Sequence, residues 1–92
     1  MIENFKHKGL RELFLNGVKK GIDPNHTQKL LRILDRMDAS IDVQDMNLPG
    51  YRLYLLKGNK TGLWAIDISG NFRVIFRFEE GKALDVDYED YH

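Results

Sequence analysis

The chain has 92 residues, 42% of them hydrophobic and 30% charged, with 14 basic side chains against 14 acidic ones. That suffices for one folded domain over residues 1–92 and excludes a disordered chain. Cysteine is absent, which excludes disulfides, thiolate nucleophiles and thiolate metal sites. No stretch approaches a membrane span and the opening residues lack an apolar signal core, so a cytoplasmic protein with no membrane partner is expected.

Ile2 to Phe5 alternates weakly and suits an edge strand. Leu10, Leu13 and Phe14 recur at helical spacing, which predicts a helix over 8–17, with Gly17 and Gly21 bracketing its end. Asp23-Pro24 is a start signal, with aspartate as cap and proline in the first turn. It predicts a second helix running to about Met37, with Leu30, Ile33, Leu34 and Met37 as its buried stripe. Lys29, Arg32 and Arg36 form the opposing stripe. Residues 39–50 read as a polar connection with a short turn near Val43 to Met46, closed by Pro49-Gly50.

From Tyr51 the period changes to two. Tyr51, Leu53 and Leu55 share one side, and Arg52, Tyr54 and Leu56 the other. Trp64, Ile66 and Ile68 share a face in a strand over 63–68, and Ser69-Gly70-Asn71 turns the chain. Phe72, Val74, Phe76 and Phe78 share a face in the next strand, with Arg73, Ile75 and Arg77 behind them. Glu79-Glu80-Gly81 leads into a last strand over 83–88. The expected fold class is α+β: two N-terminal helices packed on a small, curved, mainly antiparallel sheet. Trp64, Phe72, Phe76, Phe78 and Phe14 are expected in the core.

Charge is unevenly spread. Residues 1–60 hold eleven basic and seven acidic side chains, and residues 61–92 hold three and seven. A basic face is therefore compatible with the neutral total, and nucleic acid responds to the local field rather than the sum. The stripe Lys29, Arg32, Arg36 and the cluster Lys6, Lys8, Arg11 are the candidates for such a face, the alternative being a solvated surface with no ligand.

No nucleotide-binding loop or metalloprotease motif is present. His7, His26 and His92 lack metal-ligand spacing, and His7 and His26 are expected at the surface. Two regions stand out: the basic turn Tyr54-Leu-Leu-Lys57-Gly58-Asn59-Lys60, and the chain end Asp87-Tyr88-Glu89-Asp90-Tyr91-His92.

Several fragments together resemble the HigB toxins of the RelE/ParE-like superfamily. They are the opening Ile2 to Gly9, Pro49-Gly50-Tyr51, Leu56-Lys57-Gly58, Trp64-Ala65-Ile66, Gly70-Asn71-Phe72-Arg73, Phe76-Arg77-Phe78 and the terminal Tyr88-Glu89-Asp90-Tyr91-His92. The resemblance implies a RelE/ParE-like fold and a ribosome-dependent endoribonuclease that cuts translated mRNA in the A site, without a cofactor or metal. It implies a HigA-like helix-turn-helix antitoxin as partner, with the ribosomal small subunit and mRNA as targets. Operator DNA is reached indirectly, through the antitoxin. By the same resemblance the active-site residues are Lys57, Arg73, Asp90, Tyr91 and His92, expected on one concave face of the sheet, with Lys60 beside them in the basic turn. Tyr54 stands where many members of the family have a histidine.

Metal-free RNA cleavage sends the 2′-oxygen against the neighbouring phosphorus. The 2′-proton must be removed, phosphorane charge stabilised and the leaving 5′-oxygen protonated. His92 suits proton transfer, Lys57 and Arg73 suit the phosphate, and Asp90 suits orienting His92. Tyr91 suits a hydrogen bond or a stack on a base. Tyr54, with a reference pKa near ~10, is a poor base at neutral pH. Two other functions remain open on sequence: a ParE-like gyrase inhibitor, and a binding-only co-repressor whose catalysis went with the histidine.

Overall fold

The computed structural model describes residues 1–91. His7 opens the first helix, α1 (Lys8–Asn16): its Nδ1 accepts a hydrogen bond from the Leu10 N–H at 3.1 Å, satisfying a helix-end donor. His7 is thus half-buried and structural. Gly17 ends the helix in the left-handed region at φ 69°, and its N–H returns to the Leu13 carbonyl. Leu10 and Leu13 are buried, and Phe14 packs against them.

The second helix, α2 (Thr27–Ala39), begins later than Asp23-Pro24 suggests. The Asp23 side chain accepts from the Asn25 N–H at 2.8 Å, and its carbonyl accepts from the His26 N–H at 2.9 Å. Aspartate offers the backbone a local turn, and that turn displaces the helix start. His26 consequently faces inward rather than outward. It is 8% exposed, its Nδ1 lies 2.6 Å from the Tyr88 hydroxyl, and its ring meets Phe72 edge-on. Leu30, Ile33, Leu34 and Met37 are fully buried, as their spacing predicts. A single 3₁₀ turn, Val43–Met46, follows, closed by reciprocal side-chain bonds of Asp42 and Asp45.

The strands β1 (Leu53–Leu55), β2 (Trp64–Asp67), β3 (Phe72–Glu79) and β4 (Lys82–Asp90) form a sheet in the order β1-β2-β3-β4, each neighbour antiparallel. The α+β expectation holds. Trp64, Ile66, Ile68, Phe72, Val74, Phe76 and Phe78 all join the core under the helices. The opening segment runs parallel to β4 through bridges Ile2–Ala83 and Phe5–Val86, covering that edge.

Two features shape the other face. Arg52 takes a left-handed backbone (φ 47°), so β1 starts at Leu53 and spans three residues. Leu55 is consequently 50% exposed, while Leu56 is buried with Ala65 and Ile75 in a small second cluster. Between Ile75 and Arg77 the register slips by one residue against β4, where Asp85 has φ 53°. Such a bulge bends the sheet. Among the described residues, no helix is long and apolar enough to cross a membrane.

Phe76 is the largest fully buried side chain. Phe76→Ala should cost about 3–5 kcal/mol of stability through lost transfer energy and a cavity. Urea denaturation checks this, and an unchanged midpoint would contradict the core assignment.

Candidate active site

Antiparallel register builds the site. Asp67 on β2 lies opposite Arg73 on β3, and Arg73 lies opposite Glu89 on β4. Alternation sends their neighbours Ile66, Val74 and Tyr88 into the core, so these three side chains form a row on the face away from the helices.

Arg73 is the centre of the row. Its Nε and one terminal nitrogen reach Glu89 Oε2 at 3.0 and 2.9 Å, and its other terminal nitrogen donates to the Tyr54 hydroxyl at 3.3 Å. The guanidinium also lies 4.2 Å from the centre of the Tyr91 ring. Burial opposes its charge, but the hydrogen bonds to Tyr54 and Glu89, with the Glu89 charge, outweigh burial and raise its pKa. Glu89 also accepts from Lys60 Nζ at 3.3 Å. Burial pushes the Glu89 carboxyl up, yet the bonds from Arg73 and Lys60 win and hold it below its usual range.

Asp67 collects the second half of the network. Its Oδ1 accepts from both the Tyr54 and Tyr91 hydroxyls, each at 2.9 Å, and its Oδ2 pairs with Arg52 at 3.3 Å. The hydrogen bond to Asp67, helped by Tyr54, pushes the Tyr91 phenol up to about 12. Tyr91 is therefore a fixed donor at neutral pH. Its backbone N–H is also bonded to the Asn71 carbonyl.

The site thus brings together Tyr54, Arg73 and Tyr91, with Lys60 at its edge. Lys57 lies in the turn after β1, exposed and without a side-chain partner among the described residues. Asp90 departs from the single-face expectation. It lies opposite Phe72, one residue out of step with Glu89 and Tyr91, so alternation turns it to the helix side of the sheet. His92 lies outside the described residues.

The remaining cations are dispersed. Lys29 donates to the Ile68 carbonyl at 3.2 Å and lines a cleft of about 360 Å³ with Arg52, Asp67 and Tyr91. Arg36 is tied to the Asp45 carbonyl at 2.8 Å. Lys6 sits near Asp85, and Lys8, Arg11 and Arg32 are exposed. Among the described residues, no cluster of three or more histidines or carboxylates is arranged to hold a metal.

Asp67, Glu89 and Arg52 are the members that sequence reasoning missed. Asp67 and Arg73 lie symmetrically about the Ser69-Gly70-Asn71 turn, and that symmetry was the available signal.

Glu89→Gln tests the carboxylate. A depressed pKa contributes stability that is present above the unfolded value, near 4.5, and is lost as pH falls through the folded value. The variant should show a shallower acid loss in urea denaturation below about pH 4.5. An unchanged pH slope would contradict the pairing.

A family model described as RelE-like toxin of type II toxin-antitoxin system HigB matches residues 3–92. The chain is 38% identical over 92 residues to the Endoribonuclease HigB of Proteus vulgaris, covering 100% of both chains. It is 31% identical over 94 residues to Toxin HigB-1 of Vibrio cholerae serotype O1, covering 100% of this chain and 98% of that one. With the two-helix, four-strand fold, these similarities place the chain in the HigB family of RelE-like toxins of type II toxin–antitoxin systems.

Proposed function

We propose that this chain is a ribosome-dependent endoribonuclease that cuts translated mRNA in the A site of the small subunit. A HigA-like helix-turn-helix antitoxin restrains it in the cytoplasm, and the pair reaches operator DNA through the antitoxin. The carrying observation is the row Asp67–Arg73–Glu89 on the open sheet face, clasping the hydroxyls of Tyr54 and Tyr91.

Arg73 is held rigid and charged to meet a phosphorane, and Lys57 is an exposed cation in the turn after β1, unpaired among the described residues. Fixed cations of this kind stabilise charge that develops on phosphoryl oxygens. His92 supplies the proton for the leaving 5′-oxygen. Tyr91, its single hydroxyl proton donated to Asp67, stacks on a base. The chemistry draws on these side chains alone and takes no metal. Lys6, Lys8, Arg11, Lys29, Arg32, Arg36 and Lys60 provide the basic surface toward ribosomal RNA. Their contribution weakens as salt rises.

Primer extension on the same message, naked and translated, tests this reading. Cuts confined to the translated message are expected. Equal cutting of naked message would overturn ribosome dependence, and gyrase-linked DNA breaks without RNA cuts would point to the other branch of the superfamily.

A further inference from the structure

Tyr54 is not a free phenol. Its oxygen accepts from Arg73 at 3.3 Å, and its hydroxyl proton points along a 2.9 Å hydrogen bond to Asp67 Oδ1. The in-plane lone pair of the phenolic oxygen is the one Arg73 occupies, so an incoming 2′-hydroxyl takes the place of that hydrogen bond and frees an Arg73 nitrogen for the phosphate. A lone tyrosine at neutral pH is a poor base because its proton must first leave. Here the proton already has a destination.

Resting on the nuclease reading above, we propose that Asp67 is a positioning residue for the cleavage step. It holds the Tyr54 hydroxyl as a proton relay and takes the phenolic proton when the 2′-hydroxyl is activated. The O2′–H bond breaks as that proton passes to the Tyr54 oxygen, and the Tyr54 proton passes to Asp67 Oδ1. The O2′–P bond forms, the P–O5′ bond breaks, and the departing 5′-oxygen takes a proton from the separate acid assigned to His92. Asp67, now neutral, returns its proton to solvent. No phenolate is formed at any stage, so the tyrosine need not ionise.

The surroundings hold the carboxylate in place and ionised at rest. Arg52 pairs with Oδ2 at 3.3 Å, and Tyr91 donates to Oδ1 at 2.9 Å, an arrangement that keeps Oδ1 turned toward Tyr54. The charged and titratable groups facing Asp67 are Arg52 ahead of β1, Tyr54 on β1, Arg73 on β3, Tyr91 after β4, and Lys29 of α2 across the cleft. Three of them are cations, and Glu89 beyond Arg73 is already engaged by Arg73 and Lys60. The carboxylate is the one anionic proton acceptor bonded to the Tyr54 hydroxyl among the described residues.

The test is single-turnover cleavage on programmed ribosomes across pH, with ribosome affinity measured alongside. The wild-type rate should carry an acid limb that depends on the Asp67 carboxylate. Asp67→Asn keeps the shape and one acceptor oxygen but cannot store the proton. It should lose about 10²-fold in rate, the lower range for a general base, lose the acid limb, and keep its ribosome affinity. Tyr54→Phe should show the same loss, and the double variant should be no slower than the slower single. Near-wild-type cleavage by Asp67→Asn, an unchanged acid limb, or losses that multiply in the double variant would overturn the relay. If circular dichroism finds Asp67→Asn misfolded, Tyr54→Phe alone decides, since it removes only a hydroxyl: retained rate and limb overturn the proposal, and loss of both supports it. Absence of cleavage by wild type on translated message would fail the nuclease reading first, and the relay with it.

Discussion

Arg73→Ala is expected to reduce cleavage on programmed ribosomes by about 10²–10³-fold, the loss typical when one preorganised charge-stabilising donor is removed. Arg73 holds Glu89 by two nitrogens and Tyr54 by a third, and it lies over the Tyr91 ring. Its removal therefore takes away the proposed phosphate partner and loosens three neighbours together. Arg73→Lys should recover little, because an ammonium cannot present the planar fork that engages Glu89 and Tyr54 at once. Single-turnover rates with folding checked by circular dichroism decide this. A well-folded Arg73→Ala variant with wild-type cleavage would remove the guanidinium from the mechanism.

His92→Ala is the second large effect. General acid–base groups typically contribute roughly 10²–10⁴-fold in rate, so the variant should cut slowly while its thermal stability stays near wild type. The apolar stripe of β4 ends at Tyr88, and the charged row is completed by Glu89 and Tyr91. Ribosome affinity should change far less than rate. Wild-type cleavage by a folded His92→Ala variant would assign the leaving-group proton elsewhere, and a collapse in stability would mean that His92 holds the strand end.

The periodic parts of this fold were legible because burial imposes a period. Leu30, Ile33, Leu34 and Met37 mark α2 as one face of a helix, and Phe72, Val74 and Phe76 mark β3 as one face of a strand. Local chemistry was harder to read. Asp23-Pro24 carries both a helix-start and a turn signal, and only the competition for the Asn25 N–H decides between them. His26 was expected at the surface because a polar ring beside a helix start usually is; its partner Tyr88 lies 62 residues away in sequence. The residues of the candidate site divide the same way. Arg73, Tyr91 and Tyr54 were recognisable as types suited to RNA, and the family resemblance placed them. Asp67 and Glu89 look like ordinary surface carboxylates until the strand register sets them either side of Arg73. The resemblance sets Asp90 on one face with Tyr91, whereas adjacent residues of a strand point to opposite faces.

The central claim is that this chain's own side chains drive the 2′-oxygen of a translated message onto its neighbouring phosphorus. The most direct measurement is the chemistry of the cut ends, taken from RNA recovered early in a single turnover on programmed ribosomes. The account predicts an upstream fragment ending in a 2′,3′-cyclic phosphate and a downstream fragment beginning with a free 5′-hydroxyl. An upstream 3′-hydroxyl with a downstream 5′-phosphate would contradict it, because those ends require water, not the 2′-oxygen, as the nucleophile.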